Sequence, residues 1–206
     1  MRVALLSGGK DSLFAALKAW PIDYGIVLLY EFPRPNPHLF NLGKTLETLA
    51  LVGVPIIVAR LHRGREQEET VKLLQHLGVD EIVAGDVYIE DHLRYMESVA
   101  REAGASLREP LWGMDPVEVL YKEAEAGIEA VFIGANERMR KWLGRVFSRE
   151  TVEELADYTR KVGVDPLGEH GEYHTLVINS PVHEARLAYN IGETRVSQGY
   201  YILRIV

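Results

Sequence analysis

Short apolar runs alternate with amphipathic stretches through the first half of the chain. Residues 3–6 are an apolar run that ends in Ser7-Gly8-Gly9-Lys10-Asp11-Ser12 and passes into a helical pattern with Phe14, Leu17 and Trp20 on one face. Residues 24–30 read as a buried parallel strand, followed at 31–37 by a segment whose Pro33, Pro35 and Pro37 make it a stiff loop rather than a helix. Leucines at helical spacing predict a helix over 38–52; residues 55–61 read as a strand and 65–77 as an amphipathic helix closed by Gly78. A strand over 81–86 ends in Gly85-Asp86, and a helix over 91–103 and a short strand over 105–108 follow. Strands alternating with helices form right-handed crossovers, so residues 1–112 are expected to build one α/β domain around a five-stranded parallel sheet.

From residue 113 the pattern changes. Asp115-Pro116 opens a helix with Asp as its cap and Pro in the first position, ending near Gly127. Residues 130–134 read as a buried strand, 138–147 as a basic, aromatic segment, and Thr151-Val152-Glu153-Glu154 as a capping box opening a helix to Lys161. A polar loop over 165–175 leads into a strand over 176–179, and 186–206 reads as two strands around a turn, with Tyr200-Tyr201-Ile202 in the terminal one. An exposed edge there offers pairing with a second copy of the chain. Residues 113–206 are therefore expected to form a smaller C-terminal α+β domain.

With 206 residues, 47% of them hydrophobic, the chain can bury a substantial core. No apolar stretch approaches the roughly 20 residues that span a bilayer, and Met1-Arg2 leads directly into a strand without a signal-peptide layout, so a cytoplasmic protein is expected. The absence of cysteine excludes disulfides, thiolate metal sites, iron–sulfur clusters and persulfide chemistry. A net charge of −7 argues against a broad nucleic-acid surface. Arg138, Arg140, Lys141, Arg145 and Arg149 are the one basic cluster, read as a solvated face or anion-contacting arm rather than an RNA platform. His62, His76, His170, His174 and His183 lack the spacing of a zinc site.

The candidate chemistry begins with the strand-to-helix turn. Gly8 and Gly9 let the backbone approach a polyphosphate, so that N–H groups and the start of the helix face anionic oxygens. Lys10 adds a positive charge, Ser7 and Ser12 add hydroxyl donors, and Asp11 can hold Mg2+ or cap the helix. Asp86, at the carboxyl end of another strand, is placed to reach the same crevice, and the proline-rich loop at 31–37 is placed beside a nucleotide. The spacing departs from the usual P-loop, which needs four residues between its glycines. The hexapeptide instead resembles the PP-loop of N-type ATP pyrophosphatases, which cleave ATP between its α and β phosphates. A second constellation, Gly168-Glu169-His170-Gly171-Glu172 followed by Thr175, sets two acids among glycines; two close carboxylates can bind Mg2+ or ammonium, or deprotonate an amine.

Taken together with Gly85-Asp86, Pro110-Leu111-Trp112-Gly113 and Trp142-Leu143-Gly144-Arg145, these motifs stand in the order and spacing of one family. The chain resembles the diphthine–ammonia ligases, PP-loop proteins that amidate diphthine on translation elongation factor 2. The resemblance covers nearly the whole chain and implies a Rossmann-like fold of the adenine nucleotide alpha hydrolase type. It implies attack of the diphthine carboxylate on ATP, an acyl-adenylate, and displacement of AMP by ammonia. Lys10, Asp11, Glu169 and Glu172 are the implied catalytic residues; Ser7, Gly8, Gly9, Lys10, Asp11, Ser12 and Asp86 hold ATP, with Mg2+ at Asp11; Glu97, Gly168, Gly171 and Thr175 meet the acceptor. Residues 89–97 depart from the family pattern, with His92 and Tyr95 where Gln and Arg are favoured while Glu97 fits, and Glu137-Arg138-Met139 replaces an expected Gly-Leu-Asp element. The alternatives are a PP-loop enzyme that adenylates a tRNA base or small metabolite, and a protein that binds ATP without turnover.

Overall fold

The computed structural model describes residues 1–30 and 36–206. In chain order the elements are β1 (Arg2–Leu5), α1 (Lys10–Lys18), β2 (Tyr24–Leu29), α2 (Pro37–Phe40), α3 (Leu42–Ala50), β3 (Ile56–Arg60), α4 (Glu66–Leu77), β4 (Glu81–Val83), α5 (Glu90–Ala103) and β5 (Ser106–Arg108). Then come α6 (Pro116–Glu125), β6 (Glu129–Asn136), a 3₁₀ helix (Glu137–Trp142), β7 (Val146–Phe147), α7 (Val152–Val162), β8 (Tyr173–Asn179), β9 (Ile191–Ser197) and β10 (Tyr200–Ile205). The chain groups into two compact units. The first takes Met1–Ser7, the chain from Asp11 through β2, and Val54–Met114; the second takes Gly8–Lys10, α2 and α3 up to Gly53, and Asp115–Val206. The chain enters the second unit for the last time at Asp115, and α2 and α3 group with that unit rather than with the sheet they follow.

The first unit is a parallel sheet in the order β3-β2-β1-β4-β5. Val3 of β1 pairs with Tyr24 on one side and Ile82 on the other, so the strand order reverses at β1. Open α/β sheets bind ligands at the carboxyl ends of strands beside such a reversal. Val3, Ile26 and Ile82 of the sheet pack against Val71 and Leu74 of α4 and Met96 and Val99 of α5, which buries the stripes the helical periodicity predicted. One side chain departs from expectation: α1 stops at Lys18, so Trp20 lies past its end and is 38% exposed, while Phe14 is buried.

The second unit is antiparallel throughout. Its central strand β6 pairs with β8 along one edge and with β7 and β10 along the other, and β9 pairs outside β10. The terminal strand β10 is therefore interior and β9 is the edge, which moves the predicted open edge one strand away from Tyr200-Tyr201-Ile202. The β9–β10 hairpin turns at Gln198 and Gly199, both in the left-handed region, as a two-residue turn of right-handed twist requires. Val131, Ile133, Leu176, Ile178, Leu187, Leu203 and Ile205 form this unit's core.

Two further expectations are corrected. The predicted helix over 38–52 is two helices, α2 and α3, and Pro37 opens the first of them rather than closing a loop, capped by Asn36 Oδ1, which accepts from the His38 and Leu39 N–H groups at 2.9 and 3.3 Å. Pro in the first helical position leaves nothing unsatisfied. The rest of the proline-rich stretch, residues 31–35, lies outside the described residues. The capping box at Thr151 does not form: its hydroxyl donates to the Val146 carbonyl at 2.8 Å and accepts from the Ser148 N–H at 2.9 Å, so it ties the exit of β7 instead. Among the described residues no helix is long and apolar enough to cross a membrane.

Asn41, buried between α2 and α3, explains their separation. Its side-chain amide donates to the carbonyls of Pro37 at 3.0 Å and Leu203 at 2.8 Å, and its carbonyl accepts from the Ile205 N–H at 2.8 Å. Replacing Asn41 by Leu leaves backbone groups of β10 buried without partners and is expected to destabilise the protein by about 2–4 kcal/mol. A urea titration should show a lowered midpoint with unchanged slope; an unchanged midpoint refutes this account.

Candidate functional site

Gly8, one of the two loop glycines that the sequence marked, adopts a left-handed backbone. Gly8 has φ +90°, and a Cβ there would lie 2.9 Å from Thr45 Cγ2, so the position admits only glycine without rearrangement. The Gly8 carbonyl accepts from the Val177 N–H at 2.9 Å, and the Lys10 N–H donates to Thr175 Oγ1 at 3.3 Å. Gly8–Lys10 is thereby fastened to β8. Ser12 reaches back to Ser7, its hydroxyl oxygen 3.2 Å from the Ser7 N–H that it accepts and 3.1 Å from Ser7 Oγ. Ser7 is exposed, and Asp11 and Ser12 are half-buried in the first turn of α1, where the helix N-terminus favours an anion. In the first unit Gly85 packs against this turn: a Cβ there would sit 3.1 Å from the Asp11 carbonyl oxygen and Ser12 Cα.

Lys10 carries its charge inward. Its side chain is 0% exposed, and Nζ lies 3.0 Å from Glu123 Oε2 on α6, whose side chain is also 0% exposed. The rings of Phe147 and Tyr173 flank the ammonium, their centroids 5.8 and 5.9 Å away. Glu123 was not identified from sequence, although it occupies the buried face of α6 with Val119, Leu120 and Ala124.

The Gly168 to Thr175 segment is organised by its acids. Asp165 Oδ1 accepts from the Leu167 and Glu169 N–H groups at 2.8 and 3.2 Å, and the Glu172 carboxylate accepts from Asp165 N–H at 3.4 Å and His170 N–H at 3.1 Å. Gly168 and Gly171 take φ of +76° and +82°, conformations that a side chain resists. Thr175 is buried in β8, where its hydroxyl accepts from the Lys10 N–H, while Glu169 is half-buried on the loop. Glu97 is exposed on α5 of the first unit. His38, on α2 beside Gly8, is pushed down to about 3 by burial and by His174, whose ring centroid is 5.7 Å away.

At the carboxyl ends of β4 and β5 lies a cluster that sequence reasoning identified only in part. Asp86 Oδ1 is 3.1 Å from His92 Nδ1. Beside them, both carboxyl oxygens of Glu109 are buried without a donor. Burial first, then the Asp86 charge, pushes the Glu109 carboxyl up to about 7, with Glu97 adding to the shift and His92 opposing it. A proton on Glu109 lets the two carboxyls hydrogen-bond instead of repelling. Tyr30, at the end of β2, is pushed up to about 12 by burial and by Tyr95, Asp86 and Glu66. Among the described residues no group of three His, Asp or Glu side chains is arranged to hold a metal ion.

The basic cluster is tied down as a face of its own unit. Arg138 donates to the Gly163 carbonyl and Arg149 to the Glu125 carbonyl; Arg140 covers the Tyr201 ring, Lys141 the Tyr158 ring, and Arg145 pairs with Glu154 over Trp142. Trp142 itself is fully buried core.

Glu109 generates a pH prediction. Its folded pKa is raised, so the folded state holds a proton that the unfolded chain releases; the contribution of this group to stability is complete below about pH 4.5 and is lost as pH rises through about 7. Glu109→Gln is expected to flatten that decline in denaturation midpoints, and carbon NMR should follow Glu109 Cδ titrating near 7, shifting downward in Asp86→Asn. A Glu109 titration at the ordinary glutamate value refutes the shared-proton arrangement.

Comparison with known proteins assigns this arrangement to a family. Residues 1–107 match the diphthamide synthase N-terminal domain and residues 115–205 match the diphthamide synthase C-terminal domain. Proteins named diphthine–ammonia ligase are similar along most of the chain. The zebrafish (Danio rerio) protein is 25% identical over 93% of this chain and 87% of its own length, and the rat (Rattus norvegicus) protein 25% identical over 94% and 84%. The Schizosaccharomyces pombe protein is 27% identical over 90% of this chain, which spans 35% of that longer protein. A solved chain described as a predicted subunit of tRNA methyltransferase from Methanocaldococcus jannaschii covers 91% of this chain and 98% of its own with a TM-score of 0.44 at 15% identity, too loose a likeness to bear on function. With both domains matched in order over nearly its whole length, the chain belongs to the diphthamide synthase family.

Proposed function

We propose that this chain is an ATP-dependent ligase that amidates diphthine on translation elongation factor 2, the activity named in its relatives. The observation that carries the reading is the bond from the Lys10 N–H to Thr175 Oγ1: it joins the phosphate loop to the strand that continues the Gly-Glu-x-Gly-Glu segment, so the two motifs form one device. The diphthine carboxylate attacks the α phosphorus of ATP, the bond to the β phosphate breaks, and pyrophosphate leaves. Ammonia then adds to the acyl-adenylate carbon, AMP departs with the electron pair, and the nitrogen loses its surplus proton to give the amide. An elongation factor as acceptor places the reaction in the cytoplasm.

The phosphate groups fall to the backbone of Gly8 and Gly9, the hydroxyls of Ser7 and Ser12, and the N-terminus of α1. The fit of a polyphosphate rests on Gly8, whose left-handed backbone and lack of a Cβ let the turn pack closely on Thr45 while its chain leads into the N-terminus of α1. Mg2+, when bound, neutralises charge on the departing pyrophosphate. Asp11 is the carboxylate in the first helical turn that would hold it, the other ligands coming from the nucleotide and water, as Mg2+ sites with one or two carboxylates commonly do. Asp86 and Glu97 stand on the nucleotide unit, and Gly168 and Gly171 shape the acceptor loop.

The two glutamates of that loop divide the work. Glu172 accepts from backbone N–H groups of its own loop and holds its shape, and Glu169, half-buried on the same loop, is assigned to ammonium on the strength of the family resemblance. Glu169→Gln is expected to slow amide formation about 100-fold or more while ATP affinity holds, and Glu172→Gln to loosen the loop and weaken both. Equal amidation by Glu169→Gln and the unsubstituted enzyme overturns the assignment.

The function itself is checked in one reaction with Mg2+, ATP, ammonium and diphthine-bearing elongation factor 2. Mass spectrometry of the acceptor should show the amide, and nucleotide separation should show AMP whose release depends on the acceptor. ADP as product, or ATP binding without an amidated acceptor, refutes the proposal and points to another carboxylate or base.

A further inference from the structure

We infer that Lys10 serves the phosphate loop as an anchor rather than as a phosphate ligand, and that Glu123 on α6 is the positioning residue that fixes it. The inference rests on the reading of Ser7 to Ser12 as the ATP site. Within three residues the backbone is already fixed twice on β8, by the Gly8 carbonyl to Val177 and the Lys10 N–H to Thr175. The Lys10 side chain supplies a third fixing point, running inward to Glu123 with Nζ 3.0 Å from Oε2 and neither side chain exposed. Phe147 of β7 and Tyr173 of β8 close over the ammonium, and Tyr173 is itself held, its hydroxyl donating to the Pro166 carbonyl and its ring packed on Phe132 at 4.9 Å between centroids.

Turning the ammonium out to a phosphate would strand the Glu123 carboxylate in the core. An uncompensated buried charge is strongly unfavourable, whereas a pair replaced on both sides by apolar groups of similar volume loses little. The loop therefore needs both members of the pair or neither. The ligands left for phosphate are the glycine N–H groups and the two serine hydroxyls, which carry no net charge and depend wholly on being held in place.

This makes the double replacement decisive. Lys10→Met and Glu123→Leu, taken singly, are each expected to weaken ATP binding at least about tenfold, because each leaves a buried charge beneath the loop. The two combined should restore affinity to within about threefold of the unsubstituted protein. Affinity is read by calorimetry with ATP and Mg2+ at a temperature where circular dichroism shows every variant folded, so general instability does not register. A folded double variant that binds as weakly as Lys10→Met shows that the charge itself meets phosphate and overturns the inference. Absence of ATP binding by the unsubstituted protein overturns the ATP-site reading and the inference with it.

A second measurement needs no substitution. Reductive methylation of the unsubstituted protein with formaldehyde and borohydride, mapped by peptide mass spectrometry, should leave Lys10 unmodified with or without ATP while the exposed Lys18 and Lys161 react. Lys10 that reacts freely and is protected by ATP overturns the anchor.

Discussion

A buried ammonium needs a buried carboxylate, and the pairing of Lys10 with Glu123 is the constraint on which the Gly8–Lys10 turn depends. The four-carbon stem of a lysine is flexible, so its charge can be used only where something stops it moving. Here both charged groups are removed from water, where their attraction is strongest and separation least tolerable. The consequence for local structure is a loop whose middle residue is held at its backbone by Thr175 and at its tip by α6. Gly8 can then keep a left-handed backbone that an unconstrained turn would exchange for others.

The second unit is built to supply that hold. β6 lies at the centre of its sheet with β8 along one edge, and β8 presents Tyr173, Thr175 and Val177 on alternate positions of the same strand. Those three residues meet Lys10 Nζ, the Lys10 N–H and the Gly8 carbonyl in turn. The period of two along a strand thus matches the short run of the loop. The same strand begins where the Gly168 to Glu172 turn ends, so the geometry of that turn sets the register of the residues that grip Gly8 and Lys10.

Much of this was legible in the sequence. The parallel sheet and its five strands follow from period and turn chemistry alone. Asp115 caps α6 as its spacing says, accepting from Val117 and Glu118 N–H groups. What stayed hidden depends on contacts distant in the chain. Asn41 looks like one more polar position in a leucine-spaced helix, and only its bonds to Leu203 and Ile205 show why the helix breaks there. Lys10 sits in a motif that supplies a positive charge, and its burial against Glu123 depends on a residue far along the chain. A signal for it was present: Glu123 stands on the apolar stripe of α6, and an acid in that position calls for a cation that the rest of the chain must deliver.

The acids of this protein are sorted by what donates to them. Asp165 and Glu172 have their oxygens occupied by backbone N–H groups and so act as fasteners of a turn. Glu123 meets a full positive charge and anchors the loop from beneath. Glu109 has no donor and a neighbouring carboxylate, and the favourable answer for such a group is to keep its proton. Each backbone N–H that a carboxylate accepts fixes the turn to which that N–H belongs. In the Gly168 to Thr175 segment the two bonds that Glu172 accepts tie it to its own backbone, so its carboxylate shapes the turn from which β8 sets out.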